Sequence, residues 1–165
     1  MIINKHEVLR LPSITPEQVT LLTDLAKELK FTNATGSRRR VGANGTKALS
    51  TYHYSKWFNW TAKQRATYRK AWTDEQLKAV VQGWFIRYPK RTGFLDEMDA
   101  WVGKPNCGTI LGISLEDGQV IKIDGKLHTV NKGEVIKFNV SFIHSVPKVR
   151  ETNLWACIMI REILI

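Results

Sequence analysis

Residues 109–140 have the sequence TILGISLEDGQVIKIDGKLHTVNKGEVIKFNV, and this stretch decides the fold. It contains four short runs rich in β-branched residues, separated by the turn dipeptides Asp117–Gly118, Asp124–Gly125 and Lys132–Gly133. An Asp–Gly pair between two such runs is a signal for a tight β-hairpin, so we predict a hairpin around Asp124–Gly125. Strands of this length and spacing are typical of an antiparallel β-sandwich or small barrel.

Similar runs lie on both sides of this stretch. FIRY precedes it, LWACIMI follows it, and HEVLRL near the start of the chain is a short strand that Pro12 ends. The sequence therefore predicts strands at residues 6–11, 85–88, 109–115, 119–124, 126–130, 134–140 and 154–160.

Three segments carry the start signal of a helix. A threonine is followed three residues later by a glutamine at Thr15–Gln18, Thr61–Gln64 and Thr73–Gln76, which is the capping-box pattern. We predict that the first helix extends to a stop at Gly36. The third is predicted to continue through Leu77, Val80, Val81 and Trp84, whose spacing places them on one helical face.

Length and composition indicate one globular domain. At about 150 residues per domain, 165 residues predict a single domain over 1–165. We divide it into a basic helical half (1–84) and a β-sandwich core (85–165), an α+β arrangement. The apolar share of 43% and the charged share of 24% exclude a disordered or collagen-like chain.

The sequence also bears on the compartment. It contains no apolar run of about 18 residues, as a membrane span requires, and no apolar segment of a secretory signal follows the first charges. Cys107 and Cys157 have no metal-knuckle spacing, so we predict two buried free thiols. These features favour a cytoplasmic protein without a membrane partner.

The net charge of +10 is concentrated in one region. Between residues 35 and 91, 13 basic residues face two acidic ones, Asp74 and Glu75. Such a region attracts nucleic acid or an acidic protein surface; the alternative is a solvated face that keeps the chain soluble. The candidate polyanion-binding residues are Arg38, Arg39, Arg40, Lys47, Lys63, Arg65, Arg69 and Lys70.

An aromatic stretch, YHYSKWFNW at residues 52–60, lies inside the basic region. Its rings alternate with polar residues such as Lys56, a pattern that can stack bases beside phosphate contacts. Large aromatic side chains also dominate hydrophobic cores, so we favour a core role, with base stacking as the alternative.

Candidate chemistry is sparse. The histidines are His6, His53, His128 and His144, and no two have metal-ligand spacing; no phosphate-binding loop or serine-hydrolase motif occurs. One constellation stands out, in which the acidic cluster Asp96, Glu97 and Asp99 is followed about 45 residues later by His144. Carboxylates and a histidine from separate strands can form a facial site for a divalent ion. On spacing alone we favour ordinary loop acids and a strand-end histidine, with the metal site as the alternative.

The order of these features resembles a known family, the Fe(II)- and 2-oxoglutarate-dependent oxygenases, especially their prolyl-hydroxylase-like and AlkB-like branches. VLRLPSITPEQVTLLTDLAKELKF is similar to the helix that precedes their core, and FIRYPKRTGFLDEMDAW to their Y-x-x-G-x-x-x-x-H-x-D segment. NKGEVIKF resembles their x-x-G-x-x-v-x-F strand, and IHSVPKVRETNLW their H-x-V-x-x-V-x-x-G-x-R-W segment.

This resemblance implies a double-stranded β-helix, a cupin-like jelly roll with N-terminal helices packed against it. It also implies Fe(II) and 2-oxoglutarate as cofactors, with Glu97, Asp99 and His144 as metal ligands. The family's first histidine is replaced here by Glu97 or Met98, depending on the alignment.

The resemblance further implies a basic residue for the distal carboxylate of 2-oxoglutarate. It should stand about ten residues beyond His144, where this chain has Asn153 and Leu154. Arg150 or Lys148 would have to take its place as the cosubstrate-binding residue.

Three functional hypotheses follow. The leading one is a catalytically silent relative of these oxygenases without a cofactor, acting as a binding or structural module, for instance in a viral particle. The second is an active dioxygenase that hydroxylates or demethylates a protein or nucleic acid. The third is a metal-free small-ligand binder whose pocket is lined by Trp101, Phe138 and Trp155.

Overall fold

The computed structural model describes residues 2–3, 8–33, 53–89, 94–97, 108–139, 144–147, 153–161 and 163–164. The helices are α1 (Pro16–Glu28), α2 (Ala62–Arg69) and α3 (Asp74–Lys78). The strands are β1 (Ile2–Ile3), β2 (Leu9–Leu11), β3 (Thr32–Asn33), β4 (His53–Lys56), β5 (Val80–Tyr88), β6 (Phe94–Glu97), β7 (Thr109–Ser114), β8 (Gln119–Ile123), β9 (Lys126–Val130), β10 (Val135–Asn139), β11 (His144–Val146), β12 (Asn153–Ile160) and β13 (Ile163–Leu164).

Two antiparallel sheets form the body of the fold. The major sheet has the order β2-β10-β7-β12-β5-β4-β3, and the minor sheet has the order β6-β11-β8-β9. From β5 onward the chain passes repeatedly from one sheet to the other, which is the winding of a double-stranded β-helix. The predicted sandwich and its jelly-roll class are therefore confirmed.

Two hydrophobic cores lie on opposite faces of the major sheet. The helix-side core packs the helices against the outer face, and its most buried members are Leu22, Leu25, Ala26, Tyr68, Phe85, Leu111, Ile113, Leu115, Ala156 and Ile158. The inter-sheet core fills the space between the sheets with Ile86, Tyr88, Ile121, Ile123, Val130, Ile136, Phe138, Val146, Trp155 and Cys157.

Local sequence signals explain the boundaries that the sequence predicted correctly. All three capping boxes form: each threonine hydroxyl accepts the backbone N–H three residues on, and each glutamine side chain accepts the threonine N–H. The hairpin between β8 and β9 turns at Asp124 and Gly125, with φ values of 49° and 80°. Positive φ at both turn residues is what a type I′ turn requires.

The edges of the two sheets are joined on one side. The Arg10 guanidinium in β2, the edge strand of the major sheet, donates to the Thr129 carbonyl in β9 at 2.7 Å. Thr129 belongs to the last strand of the minor sheet, so this hydrogen bond holds the two layers together along that side.

Two predicted helix ends are wrong. The first helix ends at Glu28, capped by Leu29, well before Gly36. The third ends at Lys78, and Val80–Tyr88 is strand β5 rather than helix. Pairing of β5 with β4 and β12 outweighs the helical spacing, and the β-branched Val80 and Val81 suit a strand.

The helical half of the chain also contributes strands. β2, β3 and β4 all precede residue 85 and belong to the seven-stranded sheet. The two halves predicted from the sequence therefore share one sheet. Cys157 is a buried free thiol as predicted, and Cys107 lies outside the described residues.

Candidate functional site

Strands β6 and β11 pair at one edge of the minor sheet. Glu97 and His144 are direct partners in this antiparallel pair, and His144 also pairs with Ile123 of β8. We call the region around these three residues the mouth. Of the predicted metal ligands, the structure thus brings the backbones of Glu97 and His144 side by side; Asp99 and the alternative Met98 lie outside the described residues.

The imidazole at the mouth is buried. His144 is 6% exposed, and its ring centroid lies 5.3 Å from that of Phe138. Val146, two residues further along β11, belongs to the inter-sheet core. Since residues two apart in a strand share a face, His144 is directed between the sheets.

The position expected to carry a cation holds an amide. Leu154 belongs to the helix-side core and Trp155 to the inter-sheet core. Because successive side chains of a strand point to opposite faces, Asn153 lies on the inner face with Trp155, opposite Tyr88 of β5. Neither Asn153 nor Leu154 is charged, and the predicted substitutes Lys148 and Arg150 lie outside the described residues.

A large ring occupies the inner face beside Asn153. Trp155 is 4% exposed and packs against the backbone of β7, where a Cβ on Gly112 would be 3.3 Å from the indole Cε3. Phe138 lies in the same inter-sheet core. Two of the three residues predicted to line a small-ligand pocket are therefore core side chains, and Trp101 is outside the described residues.

His128 is not a substitute for the missing imidazole. It lies in β9, two strands from His144 and two residues further along, which ordinary strand geometry puts at a separation of about 12 Å. Burial, followed by the charges of Arg10 and Lys126, lowers the pKa of His128 below its usual value. These cations would also repel a divalent metal ion.

The described residues at the mouth do not supply the ligands that Fe(II) and 2-oxoglutarate need. The facial site of such enzymes needs two imidazoles and a carboxylate, but residues 94–99, FLDEMD, contain no histidine. The inward position next to Trp155 is Asn153 rather than a cation. Among the side chains that the structure describes, no three His, Cys, Asp or Glu residues come together as a metal site.

Helix α2 presents positive charge to solvent on the other side of the major sheet. Its buried residue, Tyr68, belongs to the helix-side core. The exposed residues are two alanines, Ala62 and Ala66, and the cations Lys63, Arg69 and Lys70; the last of these is the C-cap. At 100° per residue these five side chains fall on one face of the helix.

Arg65 differs from the other predicted polyanion-binding residues. It is half-buried, and its guanidinium donates to the Trp60 carbonyl at 2.5 Å and to the Trp57 carbonyl at 3.4 Å. Arg65 is predicted to bind a polyanion, whereas these two hydrogen bonds hold its guanidinium against the turn before α2. Arg38, Arg39, Arg40 and Lys47 lie outside the described residues.

None of the described carboxylates forms an ion pair with the exposed cations of α2. The ion pair that the described residues form joins Lys27 and Asp24 of α1 at 3.7 Å. The first acidic residues after α2, Asp74 and Glu75, begin α3.

The aromatic stretch is divided between core and surface. Trp60 is buried, donates its indole N–H to the Ser55 hydroxyl at 2.8 Å and packs at 4.9 Å from Tyr68. Trp57 packs at the edge of the helix-side core. Phe58 is 65% exposed. The core role predicted for this stretch holds for the tryptophans but not for Phe58.

The described helices include none that is both long and apolar enough to span a membrane.

Sequence comparison finds no matching family model and no matching curated protein. Structure comparison finds an oxidoreductase of the 2OG-Fe(II) oxygenase family from Burkholderia pseudomallei, with a TM-score of 0.73 and 13% identity over 93% of this chain and 84% of that one. A Pseudomonas putida prolyl-4-hydroxylase has a TM-score of 0.65 and 15% identity over 95% and 94% of the two chains.

A viral collagen prolyl hydroxylase from Paramecium bursaria Chlorella virus-1 has a TM-score of 0.62 and 12% identity, covering 94% of this chain and 96% of that one. Each match covers at least 93% of this chain and at least 84% of the other chain. Because the identities are 15% or less, the similarity concerns the backbone fold alone. This chain has the double-stranded β-helix fold of the 2-oxoglutarate- and Fe(II)-dependent oxygenases.

Proposed function

We propose that this chain is a catalytically silent relative of the oxygenases that share its fold, and that it binds a polyanion through helix α2. The observation that carries the proposal is the exposed face of α2. Lys63, Arg69 and Lys70 lie there with two alanines, no acidic side chain and no ion pair among the described residues. A compact group of unneutralised cations in a chain of net charge +10 attracts polyanions.

The composition of the mouth supports catalytic silence. A bidentate pair between arginine and a carboxylate is about twice as strong as a neutral hydrogen bond, and Asn153 offers only the weaker kind of contact to an oxoacid. A site with one imidazole in place of two also loses a nitrogen ligand for iron. Either change weakens the binding of metal or cosubstrate, and both occur here.

The polyanion proposal is tested with a triple variant, Lys63→Gln, Arg69→Gln and Lys70→Gln. The probe is a fluorescein-labelled DNA strand, and anisotropy gives the Kd between about 50 and 200 mM salt. Each lost phosphate contact should reduce the slope of log K against log salt by about 0.7–0.9, or about 2–3 for the three together.

The matched control removes three exposed lysines elsewhere, Lys30→Gln, Lys126→Gln and Lys132→Gln. It has the same net charge as the triple variant and should keep most of the wild-type slope. Equal weakening by both variants, or an affinity indifferent to salt, would contradict binding through α2.

Catalytic silence predicts that the mouth does not hold iron. After anaerobic loading with Fe(II) and 2-oxoglutarate, we expect less than about a tenth of an equivalent of metal on the desalted protein. Succinate formation should not exceed that of His144→Ala. Stoichiometric iron, with succinate production that disappears in His144→Ala, would instead establish an active dioxygenase.

A further inference from the structure

We infer that the polyanion bound by α2 is a single-stranded nucleic acid, and that Phe58 stacks on one of its bases while the cations of α2 contact its phosphates. This inference rests on the proposed function and narrows the class of ligand. The surface involved is separated from the mouth by the whole thickness of the major sheet, because α2 packs on the helix-side core. It is therefore a binding surface of its own rather than part of the oxygenase-type cleft.

The exposure of Phe58 is the first observation. An isolated exposed apolar residue needs no explanation by itself. Here, however, the exposed ring stands directly before a cationic helix: Phe58 is three residues before the N-cap Thr61, and Lys63 is two residues after it. Aromatic rings beside positive charges are the combination that binds single strands, because bases stack on the ring and phosphates meet the cations.

The turn that carries Phe58 is held rigidly, which is the second observation. The Trp60 N–H donates to the Trp57 carbonyl at 3.0 Å, and the Arg65 guanidinium donates to the carbonyls of both tryptophans. On the other side, the Trp57 ring packs over Gly83 of β5. Since the turn is fixed to both the helix and the sheet, Phe58 loses little conformational freedom when it stacks.

The dimensions of the cationic face suit a strand. Lys63 and Lys70 are seven residues apart, about 10 Å along the helix axis. In a single strand stacked as in B-form DNA, with one charge per about 3.4 Å of axial length, this face meets about three phosphates. The small side chains of Ala62 and Ala66 lie among the cations, so the backbone of a nucleic acid can approach the helix closely.

Phe58 distinguishes a single strand from other polyanions. In a duplex the base faces are already stacked, and exposing one costs unpairing energy. An acidic protein surface or heparin offers no base to stack on. The contribution of Phe58 should therefore appear with single strands and be absent with duplexes and heparin.

The experiment measures the Kd of four proteins: wild type, Phe58→Ala, Phe58→Trp and Leu127→Ala. Leu127 is 67% exposed, close to the 65% of Phe58, and lies in the minor sheet, so Leu127→Ala is a matched control for loss of surface apolar area. The probes are a labelled single-stranded DNA, the duplex of the same sequence and heparin. Thermal unfolding checks that each variant is folded.

We expect Phe58→Ala to weaken binding of the single strand about 5- to 150-fold. Duplex and heparin binding should be unchanged, Phe58→Trp should bind at least as tightly as wild type, and Leu127→Ala should be neutral. If Phe58→Ala has no effect, or weakens all three probes equally, the inference is overturned. The triple α2 variant separates the two proposals. If it reduces the salt dependence of binding while Phe58→Ala has no effect, binding of a polyanion through α2 stands and the base-stacking role of Phe58 fails.

Discussion

Replacement of Tyr68 by alanine should lower the free energy of unfolding by about 3–5 kcal/mol, the usual cost of truncating a large buried aromatic side chain. Tyr68 is fully buried. Its ring centroid lies 4.9 Å from that of Trp60 and 5.1 Å from that of Phe85, both in edge-to-face geometry. No other buried side chain contributes to the core from α2, so its removal takes away the helix's one buried side chain as well as leaving a cavity.

The hydroxyl of Tyr68 adds a second, separable contribution. Its single O–H lies between the backbone carbonyls of Trp84 at 2.7 Å and Cys157 at 2.5 Å, which share it as acceptors. Burial raises the pKa of Tyr68, which keeps this donor protonated. Tyr68→Phe keeps the ring and removes only these contacts, so it should cost about 1–3 kcal/mol. Urea unfolding followed by tryptophan fluorescence measures both variants; a cost below about 1 kcal/mol for Tyr68→Ala would contradict the packing argument.

Gly83→Ala should lower the free energy of unfolding by about 1–3 kcal/mol, because it overpacks the region beneath α2. A Cβ at Gly83 would lie 2.7 Å from Cε3 of Trp57 and 3.0 Å from Cε1 of Tyr68. Both neighbours are rings held by other contacts, so the added methyl group must displace the turn or the helix. Thermal and urea unfolding measure the effect.

A double-mutant cycle distinguishes this steric effect from a general loss of strand stability. Trp57→Leu removes the ring that an alanine at Gly83 would strike. The combined variant should therefore be less destabilised than the sum of the two single variants, by an interaction energy of about 0.5–3 kcal/mol. Strict additivity, or a neutral Gly83→Ala, would show that the close approach has no energetic consequence.

The parts of the fold that local chemistry determines were predictable from the sequence. A capping box needs only a threonine and a glutamine three residues apart, and all three boxes form. The hairpin at Asp124–Gly125 follows equally from the conformations those two residues tolerate. The end of α3 was missed because Val80 pairs with Ile160, which is 80 residues away, and no local pattern reports such a partner.

At the candidate site, the structure shows the adjacency of two predicted residues and no more. The resemblance pointed to Glu97 and His144, and the strand register makes them neighbours. The burial of Arg65 depends on two tryptophan carbonyls that become available only when a 3₁₀ turn forms. The same turn interrupts the strand alternation after Lys56, so the sequence alone did not distinguish exposed Phe58 from the rings on either side.

The order in which the strands occur has a consequence for biosynthesis. β12 lies between β7 and β5 in the major sheet, yet it is the last of the three to leave the ribosome. Until it emerges, β5 and β7 have no shared neighbour, and the apolar faces that Trp155 and Ile158 later cover remain accessible. Unpaired strands of this kind are prone to aggregate, so we expect nascent chains that stall before residue 153 to require a chaperone.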